Sequence, residues 1–173
     1  KVYDYVTGAF LSGPHLRLAE LCRKKGVRRV LDMGCGTGLL TTQLCESMPF
    51  TVGLDVSAAM LGRAARKLHS RFSLVQADGA YPPFLPNSFD AVTLSLVLHE
   101  AGPQADGLLK TALSLAPLVV VLEWRAPERN LDYLATAWPH IIERLAGKEH
   151  YQGFRHYLRR GGVYGLARRA GGR

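Results

Sequence analysis

Residues 30–38, Val-Leu-Asp-Met-Gly-Cys-Gly-Thr-Gly, constrain the fold of this chain more than any other stretch. A short apolar strand runs straight into three alternating glycines, Gly34, Gly36 and Gly38, and residues 39–47 then read as a helix. Glycine permits the left-handed backbone of a tight turn and keeps side chains out of a ligand's way. Strand, glycine turn and helix form the unit that brings backbone amides up to a nucleotide-like ligand. A bare glycine pattern is weak evidence, because any tight strand-to-helix turn can want one. Here a strand leads in, a helix leads out and Asp32 precedes the turn.

The residues that follow repeat the strand–helix alternation. A second strand over 50–54 ends in Asp55, with Val56 beside it, and a helix starts at the N-cap type residue Ser57 and runs to about residue 69. Asp55 stands 23 positions after Asp32, where a carboxylate accepts from a ribose diol; its competing role is to cap the next helix. A third strand over 72–76 leads into Asp78 and Gly79. Asp78 is a second carboxylate at the carboxyl end of a strand, suited to the exocyclic amine of a purine, while the amide after it suits a ring nitrogen. A fourth strand over 89–98 ends at His99-Glu100, a helix covers 103–115 with Leu108, Leu109, Ala112, Leu113 and Leu115 on its buried side, and a fifth strand covers 118–122. Five nearly continuous apolar strands with helices between them predict an α/β, doubly wound parallel sheet buried on both faces.

The flanks are expected to be helical. Residues 2–10 read as a short leading helix, broken at Gly13-Pro14, with Leu16, Leu18, Leu21 and Cys22 forming the face of a second helix closed by Gly26. Tyr3 and Tyr5 either cover the core's edge or fold over a ligand. After Glu123-Trp124-Arg125-Ala126-Pro127, residues 128–145 are amphipathic, with Pro139 kinking or breaking them, and a stripe of Tyr151, Phe154, Tyr157 and Leu158 lies among arginines. These stripes read as packing, as a lid over an apolar substrate, or as a membrane-surface face, so peripheral membrane contact stays open. The whole divides as one domain: a helical segment over 1–27, a cofactor-binding core over 28–127 and a helical cover over 128–173.

Composition narrows the setting. The 173 residues, 47% hydrophobic, suffice for one core, and no apolar run approaches the ~20 residues of a membrane span. Cys22, Cys35 and Cys45 form no Cys-x-x-Cys pair, which argues against a disulfide framework or zinc site and for a reducing, cytoplasmic setting. The chain starts at Lys1 rather than Met, so residues are expected to precede it. The net charge of +8 raises nucleic acid as a partner. However, ten Lys/Arg against four Asp/Glu from Arg125 onward place +6 of it in the last 49 residues, leaving the nucleotide-type core close to neutral.

Taken together, these residues resemble the class I S-adenosylmethionine-dependent methyltransferases. The resemblance covers residues 30–127 and implies S-adenosyl-L-methionine as cofactor and S-adenosyl-L-homocysteine as product. It makes 30–38 the family's first motif, with Asp32, Gly34, Cys35, Gly36 and Gly38. Asp55 with Val56 becomes the ribose side, Asp78 with Gly79 the adenine side, and the backbone of Ser95 and Leu96 faces the methionine part. A dinucleotide dehydrogenase shares the strand–turn–helix logic, but its G-x-G-x-x-G/A spacing meets Leu39 or Thr41 here. The Leu-Glu-Trp-Arg-Ala-Pro segment at 122–127 is similar to one in the ubiquinone and menaquinone C-methyltransferases.

The reaction implied is in-line attack of an acceptor on a sulfonium methyl, largely accelerated by positioning. His99 is the candidate general base, needed only where the acceptor must lose a proton; a pocket-lining or loop-bonding histidine is the alternative. Tyr81-Pro82-Pro83-Phe84 imitates the Asn/Asp-Pro-Pro-Tyr box of amino-methylating enzymes, but it opens on an aromatic and precedes strand four. An aromatic or isoprenoid small molecule methylated on oxygen or carbon is the acceptor that remains. The competing functions are a non-catalytic scaffold on the same fold and an RNA methyltransferase using the basic C-terminal region. The family closes its sheet with an antiparallel pair of strands after the last helix, and residues 163–170 read as helix instead. Strand five is therefore expected to be an exposed edge that a second copy can cover, giving a dimer.

Overall fold

A computed structural model of the chain describes residues 2–67, 72–124 and 148–170, with side chains from residue 11 in the first segment and from residue 151 in the last. Contacts group the chain into two compact units, residues up to 95 together with 111–122, and residues 96–110 together with those from 123 onward. The first unit holds a five-stranded sheet of β1 (Arg29–Met33), β2 (Phe50–Asp55), β3 (Phe72–Gln76), β4 (Ala91–Ser95) and β5 (Leu118–Leu122). Their order is β3-β2-β1-β4-β5 and every pairing is parallel. This is the doubly wound architecture expected from the alternation. The order reverses between β1 and β4, and the crevice at the carboxyl ends beside such a switch point is where these sheets take ligands.

Register is fixed at the opposite end by one carboxylate. Asp90 accepts from the backbone amides of Arg28 and Arg29 at 3.0 and 2.8 Å and from the Arg29 guanidinium at 3.0 Å, tying the start of β4 to the start of β1. Those donors, the backbone amide of Arg29 foremost, hold its carboxyl below the ordinary carboxylate range. Glycine is required inside β2: a Cβ on Gly53 would stand 2.9 Å from Leu74 Cδ2 and 3.0 Å from Cys35 Sγ. A strand glycine commonly marks such a close approach.

Helix α1 (Val2–Lys24) passes through Gly13-Pro14 without a break. Proline inside a helix costs about 3 kcal/mol, and the burial of the stripe Leu11, His15, Leu18, Ala19 and Cys22 outweighs it. Leu11, His15, Leu18 and Cys22 fall at spacings of four, three and four, with Ala19 beside Leu18, so Leu16 and Leu21, expected on the buried face, are exposed instead. The stripe's lower half joins β1 and α2 (Leu39–Ser47) in a core of Leu18, Cys22, Val30, Leu40 and Leu44. The α3 helix (Ala58–Ala65) begins at Ser57, whose hydroxyl accepts from the Met60 amide at 3.3 Å. It ends four residues short of the expected 69; positions 68–71 lie outside the described residues. On α4 (Ala105–Leu115), Leu108, Leu109, Ala112 and Leu115 are buried as expected, whereas Leu113 turns outward.

In the second unit a short 3-10 turn, Gly102–Gln104, packs against α5 (Lys148–Arg159), and α6 (Gly162–Arg169) follows. Asp106 accepts from Arg160 at 2.8 Å and Arg169 at 3.0 Å, tying both helices to the start of α4. Among the described residues β5 is the last strand and ends the sheet at that side, with its side chains half-buried. The Tyr3 and Tyr5 side chains, residues 125–127 and the amphipathic stretch at 128–145 lie outside the described residues. No described helix is long and apolar enough to cross a membrane.

Candidate functional site

The glycine turn is held by its own backbone and by two carboxylates. Gly34, Gly36 and Gly38 have φ of 75°, 54° and 78°, the left-handed region that side chains avoid. The Gly34 and Cys35 amides donate to the Leu54 carbonyl at 2.7 and 2.9 Å, and the Gly36 amide donates to Asp55 Oδ2 at 2.8 Å. The other Asp55 oxygen accepts from the Ser57 amide at 2.8 Å. Asp55 therefore joins the turn to Ser57, the residue that caps α3. A Cβ on Gly36 would meet nothing within 4 Å, so the turn faces open space there. Lys67 Nζ donates to Thr37 Oγ1 at 3.1 Å and closes the turn's outer side.

Asp32 lies beneath the turn with 1% exposure. The hydroxyls of Thr41 and Thr93 donate to its two oxygens at 2.6 and 2.8 Å. Burial pushes its carboxyl up to about 6, against the pull of those hydroxyls. Asp32 thus joins β1, β4 and α2 from below. Cys35 is buried as well, and burial, reinforced by Asp32 and Asp55, pushes its thiol well above the ordinary range, so it stays protonated and inert.

At the carboxyl end of β2, Val56 is 68% exposed, an apolar surface beside Asp55. Beyond β3, Asp78 is exposed; its Oδ1 accepts from the Ala80 amide at 2.9 Å, and its carbonyl accepts from the Tyr81 amide at 2.9 Å, with Gly79 inside this turn. Tyr81 itself is exposed and in a loop, as its rigid Pro-Pro context implies. At the end of β4, Ser95 Oγ shares a 2.9 Å hydrogen bond with Nε2 of His15 on α1. Leu96 follows with φ of 56°, a strained conformation for a non-glycine residue that ends the strand early, at 95 rather than 98. Asp55 is bonded to the glycine turn through Gly36, Asp32 is bonded to Thr41 and Thr93 at its base, and Asp78-Gly79 and Ser95 stand at the ends of β3 and β4, the strands that flank β2 and β1.

His99 belongs to the second unit and is only 2% exposed. Its Nδ1 lies 2.8 Å from Glu123 Oε2, whose side chain is wholly buried. Glu123 also accepts from the backbone amides of Leu98 at 2.6 Å, His99 at 3.4 Å and Trp124 at 3.3 Å. The rings of Phe154 and Tyr157 meet the imidazole edge-on at 5.9 and 6.3 Å. Tyr157 donates to the Trp124 carbonyl at 3.1 Å, and burial, with Glu123 nearby, raises its phenol far above the ordinary range. A Cβ on Gly153 would come within 2.9 Å of the His99 carbonyl, so α5 lies directly on this backbone. Glu123 and His15 are the functional candidates that sequence reasoning passed over. The signal for Glu123 was an acid immediately after an apolar strand; reading Gly13-Pro14 as a break hid His15.

Residues 30–116 match the family model described as a methyltransferase domain. The chain is 35% identical over 155 residues to a demethylmenaquinone methyltransferase of Corynebacterium kroppenstedtii, covering 83% of this chain and 66% of that one. It thus spans less than two thirds of that relative's length. A malonyl-acyl-carrier-protein O-methyltransferase of Legionella pneumophila is 40% identical over 76 residues, 42% of this chain and 27% of that one. Among solved structures, an amino pentose methyltransferase from Micromonospora echinaspora with SAM bound aligns with a TM-score of 0.62 and 26% identity. That alignment covers 75% of this chain and 58% of the other.

Proposed function

The chain belongs to the methyltransferase-domain family, and from that premise we propose that it methylates a small-molecule acceptor using S-adenosyl-L-methionine. The observation that carries this reading is the glycine turn: three left-handed glycines, tied to Asp55 through Gly36 and open in front of Gly36. A donor set without a metal-ligand cluster among the described residues, but with exposed turns and a carboxylate at successive strand ends, fits an adenosine-bearing ligand. Asp55 and Val56 would hold its ribose side and Asp78 with Gly79 its adenine. The turn at 34–38, with Ser95 and Leu96, would hold the methionine part. Asp32 and Cys35 contribute from beneath, by fixing the turn.

When bound, the cofactor would supply an electrophilic sulfonium methyl: an acceptor oxygen or carbon would attack it in line, the carbon–sulfur bond would break with its electrons going to sulfur so that S-adenosyl-L-homocysteine leaves, and the acceptor's proton would pass to solvent. The protein's share is binding and orientation, which accounts for much of the rate in such displacements. We assign His99 a positioning role rather than that of a base: with 2% exposure and its Nδ1 on Glu123, it braces the backbone that follows β4. The acceptor we favour is a demethylated quinol or a phenol, whose ring carbon or oxygen is nucleophilic, supported by the relative named for demethylmenaquinone. Three free cysteines, two of them buried, support a reducing, cytoplasmic setting. The test is a methyl-transfer assay with labelled cofactor against quinols, phenols and small acids. Label in the quinol or phenol products is the expected result, and transfer to none of these acceptors by a chain that binds S-adenosyl-L-homocysteine would overturn the catalytic reading.

A further inference from the structure

Among the described side chains of α1, His15 is the one polar member of the buried stripe, between Leu11 and Leu18, with 4% exposure. An apolar residue would fill that place without needing a partner, whereas a buried imidazole costs stability unless it is hydrogen-bonded. Desolvation holds the ring neutral, its pKa lowered to about 4. Its partner lies 80 residues away: Ser95 Oγ, at 2.9 Å, on the last residue of β4. The backbone of Ser95 is in register with Leu122 of β5, so the strand fixes its main chain and His15 fixes its hydroxyl. Leu96, immediately after, holds φ of 56°, a conformation that persists only where the surroundings over-determine it.

We propose that His15 is a positioning residue for the methyl donor, holding the Ser95 hydroxyl so that the strained Ser95-Leu96 backbone keeps one conformation. This rests on the reading that Ser95 and Leu96 border the methionine part of the cofactor. A hydrogen bond is directional where packing is not. The histidine therefore secures a geometry that a leucine of similar volume would leave free, even if the leucine packed as well or better.

The experiment is calorimetric titration of S-adenosyl-L-homocysteine into the full chain and into His15→Leu, His15→Gln and Ser95→Ala, each with its urea midpoint. His15→Leu is expected to keep its midpoint and to bind roughly three- to tenfold more weakly, the range of one net hydrogen bond. His15→Gln, which carries a nitrogen near the Nε2 position, should recover affinity to within about twofold. In the Ser95→Ala background, where no hydroxyl is left to hold, exchanging His15 for Gln or Leu should change affinity no further. A His15→Leu chain that binds like the parent, or a His15 effect that persists undiminished without the Ser95 hydroxyl, overturns the inference. If His15→Leu does not fold, His15→Gln with and without Ser95→Ala decides the same question by the same criterion. A parent chain that fails to bind at millimolar ligand sinks the methyl-donor reading, and this inference with it; a parent that binds beside an unaffected His15→Leu sinks this inference alone.

Discussion

Asp32 and Glu123 are both buried carboxylates at the carboxyl ends of parallel strands, one in each unit, yet they are satisfied by different kinds of donor. Asp32 takes chiefly two side-chain hydroxyls, those of Thr41 and Thr93, with the Thr41 backbone amide a smaller contributor. Glu123 takes three backbone amides and the His99 imidazole. A hydroxyl that loses its acceptor can rotate toward another, whereas a backbone amide cannot. Buried donors left unpaired cost about 1–3 kcal/mol each. The region around Asp32 is thus a tolerant brace under a backbone turn, and the region around Glu123 is a rigid knot.

The largest effect should come from cutting that knot. Glu123→Ala should destabilise the chain by roughly 3–5 kcal/mol in urea unfolding, about 2 kcal/mol more than Asp32→Ala. Equal losses would break the distinction between the two carboxylates.

Next in size is a pH effect in which Asp32 is set against His15. Burial lowers His15 from 6.5 to about 4. Between those values the unfolded chain binds a proton that the folded chain does not, and stability falls as pH drops. Burial raises Asp32 from 3.8 to about 6. There the folded chain holds a proton that the unfolded chain lacks, and stability rises as pH drops. Each slope is roughly 1 kcal/mol per pH unit, and they oppose each other between pH 4 and 6. Relative to the parent, His15→Gln should therefore gain stability on going from pH 6 to 4, and Asp32→Asn should lose it. Unfolding curves at several pH values check both signs, and matching shifts in the two variants would refute the assigned burial effects.

Smaller effects separate shape from ligand contact within the turn region. Gly53→Ala forces a Cβ against Leu74 and Cys35 and should cost about 1–3 kcal/mol of stability. Gly36→Ala meets open space, so its cost is that of its left-handed backbone, about 1–2 kcal/mol. Its larger consequence should be weaker binding of S-adenosyl-L-homocysteine. Affinity unchanged in Gly36→Ala would move the ligand away from this face of the turn.

The same contrast explains what could be read in the sequence. The turn was legible because its chemistry is local: a left-handed backbone demands glycine, and Gly34, Gly36 and Gly38 announce it within five residues. The five strands were legible from apolar runs bounded by turn residues. Glu123 was not, since main-chain amides accompany every sequence and nothing at Leu98 or His99 marks them as its donors. His15 was hidden for another reason. Local propensity at Gly13-Pro14 argued for a break, and burial of a stripe spaced by four, three and four residues overrode it. Leu113 shows the limit of periodicity: it sits at the margin of the buried face of α4, where spacing alone does not decide the side.

In the proposed site Asp55 joins the glycine turn to a bound adenosine. Calorimetric titration of S-adenosyl-L-homocysteine into the parent chain and Asp55→Ala tests it most directly. The parent should bind saturably and the variant at least tenfold more weakly, the loss of charge-assisted hydrogen bonds worth roughly 1.5–3 kcal/mol. Binding by Asp55→Ala as tight as by the parent, or no binding by the parent at millimolar ligand, would contradict it.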